Sequence, residues 1–281
     1  MDILSSIGGV LPGRRGPVVA VLRMTGMIGG LGPLRTGLNL AGQAGAIERA
    51  FNLRGLKAVA LAINSPGGSP VQSSLIHRRI RALAEEKKVP VLAFAEDVAA
   101  SGGYWVALAA DEIFADANSI VGSIGVISAG FGFQGLLERL GIERRVHTAG
   151  TDKGMLDPFR PEQPEDVARL EAIQRDVHAS FKALVRERRG GRLRGTEEEM
   201  FEGAFWTGRR ALELGLIDGI GDLRQVCRAR FGERVRLRLV GVRTSWLQRR
   251  LAMKVDERMA ALTDGALAAL EERRMWSRYG R

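Results

Sequence analysis

Two short stretches of the chain carry residue types that can act together on a carbonyl group. Ile63-Asn64-Ser65-Pro66-Gly67-Gly68 follows a buried-strand run, so its glycines fall where the strand turns outward and their N–H groups can point into a cleft. Donors placed in that way can hold an oxyanion, although Ser-Pro-Gly-Gly equally suits a plain turn. Ala99-Ala100-Ser101-Gly102-Gly103-Tyr104-Trp105 puts a serine at the start of a helix. A serine there ordinarily serves as an N-cap. Its small neighbours also let a substrate backbone come close, and the Gly102 N–H would sit at the positive end of the helix, so a nucleophile is the second reading of Ser101.

These segments need a scaffold that brings strand ends together. Val18 to Met24 and Ala58 to Ile63 are short β-branched apolar runs, and Ile47 to Leu53 between them has helical apolar spacing, which makes a β-α-β unit. Val71 to Leu83 reads as a helix, Val89 to Ala95 as a buried strand, Ser101 to about Ala110 as a helix, and Glu112 to Ala115 and Gly125 to Ser128 as strands. The alternation predicts an α/β fold with a largely parallel sheet covered on both faces. Beyond it, Val167, Leu170, Ile173, Val177, Phe181, Leu184 and Val185 mark one long amphipathic helix over Glu165–Arg189. An Arg/Gly-rich linker, Gly190–Gly195, and a helical hairpin around Trp206 to Leu214 follow. Arg234 to Val240 alternates like an edge strand, and Leu247, Leu251, Val255, Met259 and Leu262 form a helical stripe. The expected divisions are an N-terminal extension (1–16), a catalytic domain (17–227) and a basic strand-helix tail (228–281).

Four ordered motifs, Ile63 to Gly68, Ser101 to Tyr104, Val121-Gly122-Ser123-Ile124-Gly125-Val126 and Thr148-Ala149-Gly150-Thr151-Asp152-Lys153, resemble those of signal peptide peptidase A and its SohB-like relatives. Phe205-Trp206-Thr207-Gly208-Arg209 through Gly215-Leu216-Ile217-Asp218 resembles the family's downstream segment, and the likeness runs from about Val18 to Val226. The resemblance implies a ClpP/crotonase-like β-α-β spiral with a helical C-terminal extension, and a serine peptidase with a Ser-Lys dyad. Carried over by motif, Ser101 is the nucleophile, Lys153 the general base, and Ser123 the hydroxyl that positions the lysine. Gly67 or Gly68, together with Gly102, would form the oxyanion hole. The same resemblance implies hydrophobic peptides as substrates, such as signal-peptide remnants, cleaved through an acyl-enzyme. It also implies a homo-oligomer in which serine and lysine come from neighbouring protomers, and no cofactor or metal. The chemistry is coherent, because a serine hydroxyl needs a base and lysine serves as one only where burial disfavours its charged form. Asp152 is therefore expected to point away from Lys153, and Trp105 to narrow the pocket.

A Ser-His-Asp triad is the rival arrangement. Of the three histidines, only His147, on an expected strand near the lysine motif, could serve; His77 and His178 read as scaffold. A catalytically silent scaffold of the same fold, or an acyl-CoA enzyme, are the alternatives from other classes. The single cysteine, Cys227, excludes an intrachain disulfide. The apolar stretches Val98 to Ala110 and Ile113 to Phe133 are interrupted too often for a membrane span, and Met1 to Leu11 lacks signal-peptide features, so a cytoplasmic location is expected. Of the net charge of +10, residues 228–281 carry +8, from 14 Lys/Arg against 6 Asp/Glu. That asymmetry disfavours a nucleic-acid groove through the main domain and leaves the tail as a candidate contact for an anionic membrane surface at the inner face of the membrane.

Overall fold

The computed structural model describes residues 16–30, 37–241 and 273–280. The chain begins with β1 (Val18–Thr25), α1 (Leu40–Phe51), β2 (Leu56–Ser65), α2 (Pro70–Lys87), β3 (Val91–Ala100), α3 (Gly102–Ala107), β4 (Glu112–Ala115) and β5 (Ile120–Gly122). After α4 (Gln134–Leu140) and a 3-10 turn at Thr151–Gly154 come α5 (Pro164–Arg189), α6 (Glu197–Phe201), β6 (Phe205–Thr207), α7 (Gly208–Glu213), β7 (Gly219–Ile220), α8 (Leu223–Phe231) and β8 (Arg236–Leu239). The strands form one sheet in the order β6-β5-β3-β2-β1-β8, with β4 also on β3 and β7 beyond β4. Every pairing is parallel except β5 with β6. The α/β class and the mostly parallel sheet are those the alternating pattern predicts.

The strands read as continuous apolar runs because both faces are covered. On β2, Val59, Leu61 and Ile63 face a core shared with α1, α2, α3 and α5, while Ala58, Ala60 and Ala62 face a second cluster with Cys227 and α8. β3 is the pivot of the sheet. Its first half, Leu92–Ala95, pairs with β4, and its last residues, Val98–Ala100, pair with β5. Between them the register against β2 shifts. The sheet therefore splits along β3, which brings the C-terminal ends of β2, β3 and β5 together. The α8 helix runs across residues 227–228, and β8 adds to β1 as a parallel edge strand of the same sheet.

Two expected elements differ. The strand expected at Gly125–Ser128 is instead β5 at Ile120–Gly122, because Gly122 (φ +113°) and Ser123 (φ +53°) both leave the extended region and end it. The segment expected as a helical hairpin opens with a strand: Trp206 lies in β6, opposite Val121, and Thr207 caps α7 by accepting from the Arg210 N–H. The Leu247–Leu262 stripe lies outside the described residues.

Arg189 is 3% exposed and clasps Asp218 with two hydrogen bonds, 2.7 Å to Oδ2 and 3.0 Å to Oδ1, while its Nε donates to the Gly215 carbonyl. Burial alone would raise the Asp218 pKa. The Arg189 hydrogen bond and the Ile113 N–H outweigh it and hold the carboxyl below its ordinary range. Arg189→Ala leaves that carboxylate without its main partner, and urea unfolding should show a loss of about 3–5 kcal/mol.

His77 in α2 is buried, and its Nε2 has no hydrogen-bond partner among the described residues. Burial, reinforced by the nearby Arg188 cation, lowers its pKa from 6.5 to about 4. The unfolded chain thus binds more protons between those values, so stability is lost as pH falls from 6.5 towards 4, by roughly 3 kcal/mol. Denaturant midpoints measured across that window should fall more steeply for the parent than for His77→Leu; equal slopes would contradict the assignment.

Candidate active site

The site lies at the C-terminal ends of β2, β3 and β5, where parallel sheets of this kind place their ligand sites. Ser101 occupies the sharp turn from β3 into α3 with φ +52° and ψ −121°, a conformation non-glycine residues rarely adopt. Such a turn costs about 1–3 kcal/mol and thrusts a side chain off the end of a strand, the geometry of a nucleophile elbow. The Ser101 side chain makes no capping hydrogen bond, so the N-cap role is not the one it fills. Its N–H donates to the Gly122 carbonyl at 2.7 Å, which fastens the turn to the end of β5.

The Gly67–Gly68 turn after β2 packs directly on this elbow. A Cβ on Gly67 would stand 2.7 Å from Ser101 Cβ and 2.8 Å from Gly102 N, and one on Gly102 would meet Ser73 Oγ at 2.5 Å and Gly68 N at 3.2 Å. Only glycine permits that approach. The Gly67 N–H is taken by Ser65 Oγ at 3.2 Å, whereas no acceptor among the described residues meets the N–H of Gly68 or Gly102. Two neighbouring, unpartnered backbone donors beside a serine hydroxyl are the elements of an oxyanion hole.

α3 is held rigidly beneath the elbow. The Tyr104 hydroxyl donates to the Leu216 carbonyl at 2.7 Å, and burial pushes its pKa up. Trp105, expected to narrow the pocket, is buried with its ring stacked on Phe181 of α5 at 4.6 Å. Arg188 donates to the Leu108 and Ala110 carbonyls and Arg81 to that of Ala109, which satisfies the last turn of the helical segment.

Ser123 is buried directly after Gly122, whose carbonyl accepts the Ser101 N–H, so it follows the point where the end of β5 is fastened to the elbow. Lys153 is not brought there within one protomer. It sits exposed on the 3-10 turn Thr151–Gly154, and its ammonium meets no partner among the described residues. Its neighbour Asp152 pairs with Arg169 of α5 rather than with Lys153. The whole stretch from about 126 to 163 stands away from the core. No residue of α4 is buried, and Ile127, Phe131, Leu136, Leu140, Ile142 and Val146 are at least half exposed.

His147 is exposed on this stretch, in a segment that forms no strand. His178, read from the sequence as scaffold, has its Nε2 2.7 Å from the Phe201 carbonyl and 3.2 Å from that of Ile124, next to Ser123. No local signal marks it, because its partners are 23 and 54 residues away in sequence. A cavity of about 1020 Å³ lies on the sheet face that carries Val21, Ala62 and Phe94, and none of the candidate residues lines it. Among the described residues no His, Cys, Asp and Glu cluster could hold a metal ion, and no helix is long and apolar enough to cross a membrane.

Residues 83–233 match the family model described as peptidase family S49. Over 272 residues the chain is 51% identical to a protein of Brucella abortus named Na(+)/H(+) antiporter NhaA, covering 93% of this chain and 37% of that one. It is 36% identical over 213 residues to the chloroplastic serine protease SPPA of Arabidopsis thaliana, covering 73% of this chain and 31% of that one. The chain thus spans about a third of the length of these curated relatives. Among solved structures it is similar to the 1510-N membrane-bound stomatin-specific protease in complex with a substrate peptide, with a TM-score of 0.50 and 16% identity over 86% of this chain and 99% of that one. That likeness supports the ClpP-like α/β fold.

Gly67→Ala should misplace the elbow without unfolding the sheet. Fluorophosphonate labelling of Ser101 is expected to fall by about two orders of magnitude, the scale on which a displaced reacting group costs rate. Gly191→Ala, whose Cβ would meet nothing within 4 Å, serves as the control and should label like the parent.

Proposed function

The chain belongs to peptidase family S49, a serine protease family, and on that premise we propose that it is an endopeptidase that cleaves hydrophobic peptides with Ser101 as nucleophile and Lys153 as base. The observation that carries the reading is the strained Ser101 elbow beside the N–H groups of Gly68 and Gly102, which meet no acceptor among the described residues. In the first step Ser101 Oγ attacks the scissile carbonyl carbon and gives its proton to the neutral lysine amine. The carbonyl oxygen becomes an oxyanion facing the two N–H groups. Collapse expels the leaving amine, which takes the proton back from the lysine, and water then hydrolyses the Ser101 ester with the same amine as base. The antiporter name belongs to a Brucella polypeptide most of which lies outside the match, and transport is not carried over.

A lysine works as base only when it is desolvated. Lys153 is exposed, and the arm that carries it presents apolar side chains that stay at least half exposed among the described residues. Both facts support a homo-oligomer in which the arm of one protomer packs on its neighbour and delivers Lys153 to the neighbour's Ser101. Burial of that apolar surface would also exclude water from the amine. The hydroxyl of Ser123, buried at the end of β5, would receive the incoming lysine.

Ser101→Ala and Lys153→Ala should each lose nearly all hydrolysis of a signal-peptide-like fluorogenic substrate. Co-assembled in equal amounts, the two inactive variants should regain about a quarter of parent activity, since one interface in four then pairs an intact serine with an intact lysine. Full inactivity of the mixed oligomer would place both groups in one protomer. Retained activity in either single variant would remove that residue from the mechanism.

A further inference from the structure

Ser123 holds its place at an unfavourable backbone angle, φ +53°, in a turn with little regular structure to support it. Four backbone hydrogen bonds strap the turn. The Ser101 N–H donates to the Gly122 carbonyl and the Ser123 N–H to that of Ala204, both at 2.7 Å, the Gly125 N–H donates to the Ser123 carbonyl at 3.0 Å, and the Gly203 N–H to that of Ile124 at 3.2 Å. Among the described residues one side chain adds to them: His178 of α5, whose Nε2 reaches the Ile124 and Phe201 carbonyls. We infer that His178 is a positioning residue for the Ser123 turn, and through it for the catalytic base; the inference rests on the Ser101–Lys153 reading above.

Both partners of Nε2 are carbonyl oxygens, so this nitrogen must carry the hydrogen. The bond joins three elements that are distant in sequence: α5, the turn after β5, and the end of α6. α5 also anchors the turn that bears Lys153, since Arg169 pairs with Asp152 and Asp166 accepts from the Leu156 N–H at 3.2 Å. His178 lies nine residues beyond Arg169, about 14 Å along a helix rising 1.5 Å per residue. One rigid helix thus fixes both the lysine a protomer gives away and the hydroxyl with which it receives a lysine from its neighbour.

The test uses the assembled full chain, with peptide hydrolysis followed from pH 5 to 10 and thermal unfolding in parallel. His178→Ala is expected to lower kcat about tenfold with KM little changed. It should also move the acid limb of the kcat/KM profile, set by deprotonation of the base, to higher pH. His178→Gln, whose side-chain amide can place an N–H near the position of Nε2, should restore most of the rate and the original limb. A His178→Ala variant that loses thermal stability while keeping the parent pH profile, or one that changes nothing, overturns the inference and leaves His178 as scaffold. Ser123→Ala separates this outcome from failure of the underlying reading. A shifted limb in Ser123→Ala but not in His178→Ala removes only the His178 role, whereas an unshifted limb in Ser123→Ala removes the role of Ser123 and the inference with it.

Discussion

The site depends on how closely two backbone turns can approach each other. A Cβ at Gly102 would come 3.4 Å from the Gly67 Cα, and one at Gly67 would come 2.9 Å from the Ala100 carbonyl oxygen, so the turn after β2 and the elbow after β3 touch backbone to backbone. Glycine relieves the crowding at Gly67 and Gly102. Ser101 is not relieved in this way, since on the proposed reading its hydroxyl is the nucleophile, and it keeps a backbone conformation that costs about 1–3 kcal/mol. That strain persists because the surroundings determine the position from every side: β5 through the Gly122 carbonyl, α5 through the Phe181 ring under Trp105, and Arg81 and Arg188 at the far end of the helical segment. Asp111 closes the unit by exchanging hydrogen bonds with Val91, so strand, elbow and helix form one tied loop.

The split of the sheet along β3 follows from the same need. A flat sheet with β4 beside β3 along its full length would leave the end of β5 far from Ser101. The register shift after Ile63 lets β4 depart and β5 take its place, which sets the end of β5 at Gly122 beside Ser101. The chain then leaves the sheet altogether, and the arm that follows buries almost nothing within its own protomer. Six large apolar side chains on it would contribute on the order of 10 kcal/mol of gross stabilisation if covered, before the entropy of association is subtracted. On the proposed reading, covering that surface would favour association of copies apart from any catalytic consideration.

Much of the fold was legible because both sheet faces are covered, so β1, β2 and β3 stand out as apolar runs and α1, α2 and α5 as periodic ones. Glycine and serine patterns located the elbow, since few other residues can make that turn. The end of β5 was misplaced because two positive φ angles at Gly122 and Ser123 stop a strand whose apolar pattern continues into Ile124 and Val126. Trp206 looked helical because Thr207 caps a real helix one residue later. The partners of His178, read as scaffold, were not legible for a different reason: they are carbonyl oxygens of distant segments, and a carbonyl oxygen leaves no trace in residue type.

The division between core and arm also has a consequence for control. On the proposed reading, the strained nucleophile and its oxyanion donors are preformed in each copy, while the base lies in solvent until a neighbour covers it. An isolated copy then holds a serine without a desolvated base, and the hydroxyl alone is a poor nucleophile. Activity follows the assembled fraction and rises with protomer concentration more steeply than in proportion. Desolvation of the lysine and burial of the apolar arm are one event, so the association that stabilises the arm is also what makes the amine a base.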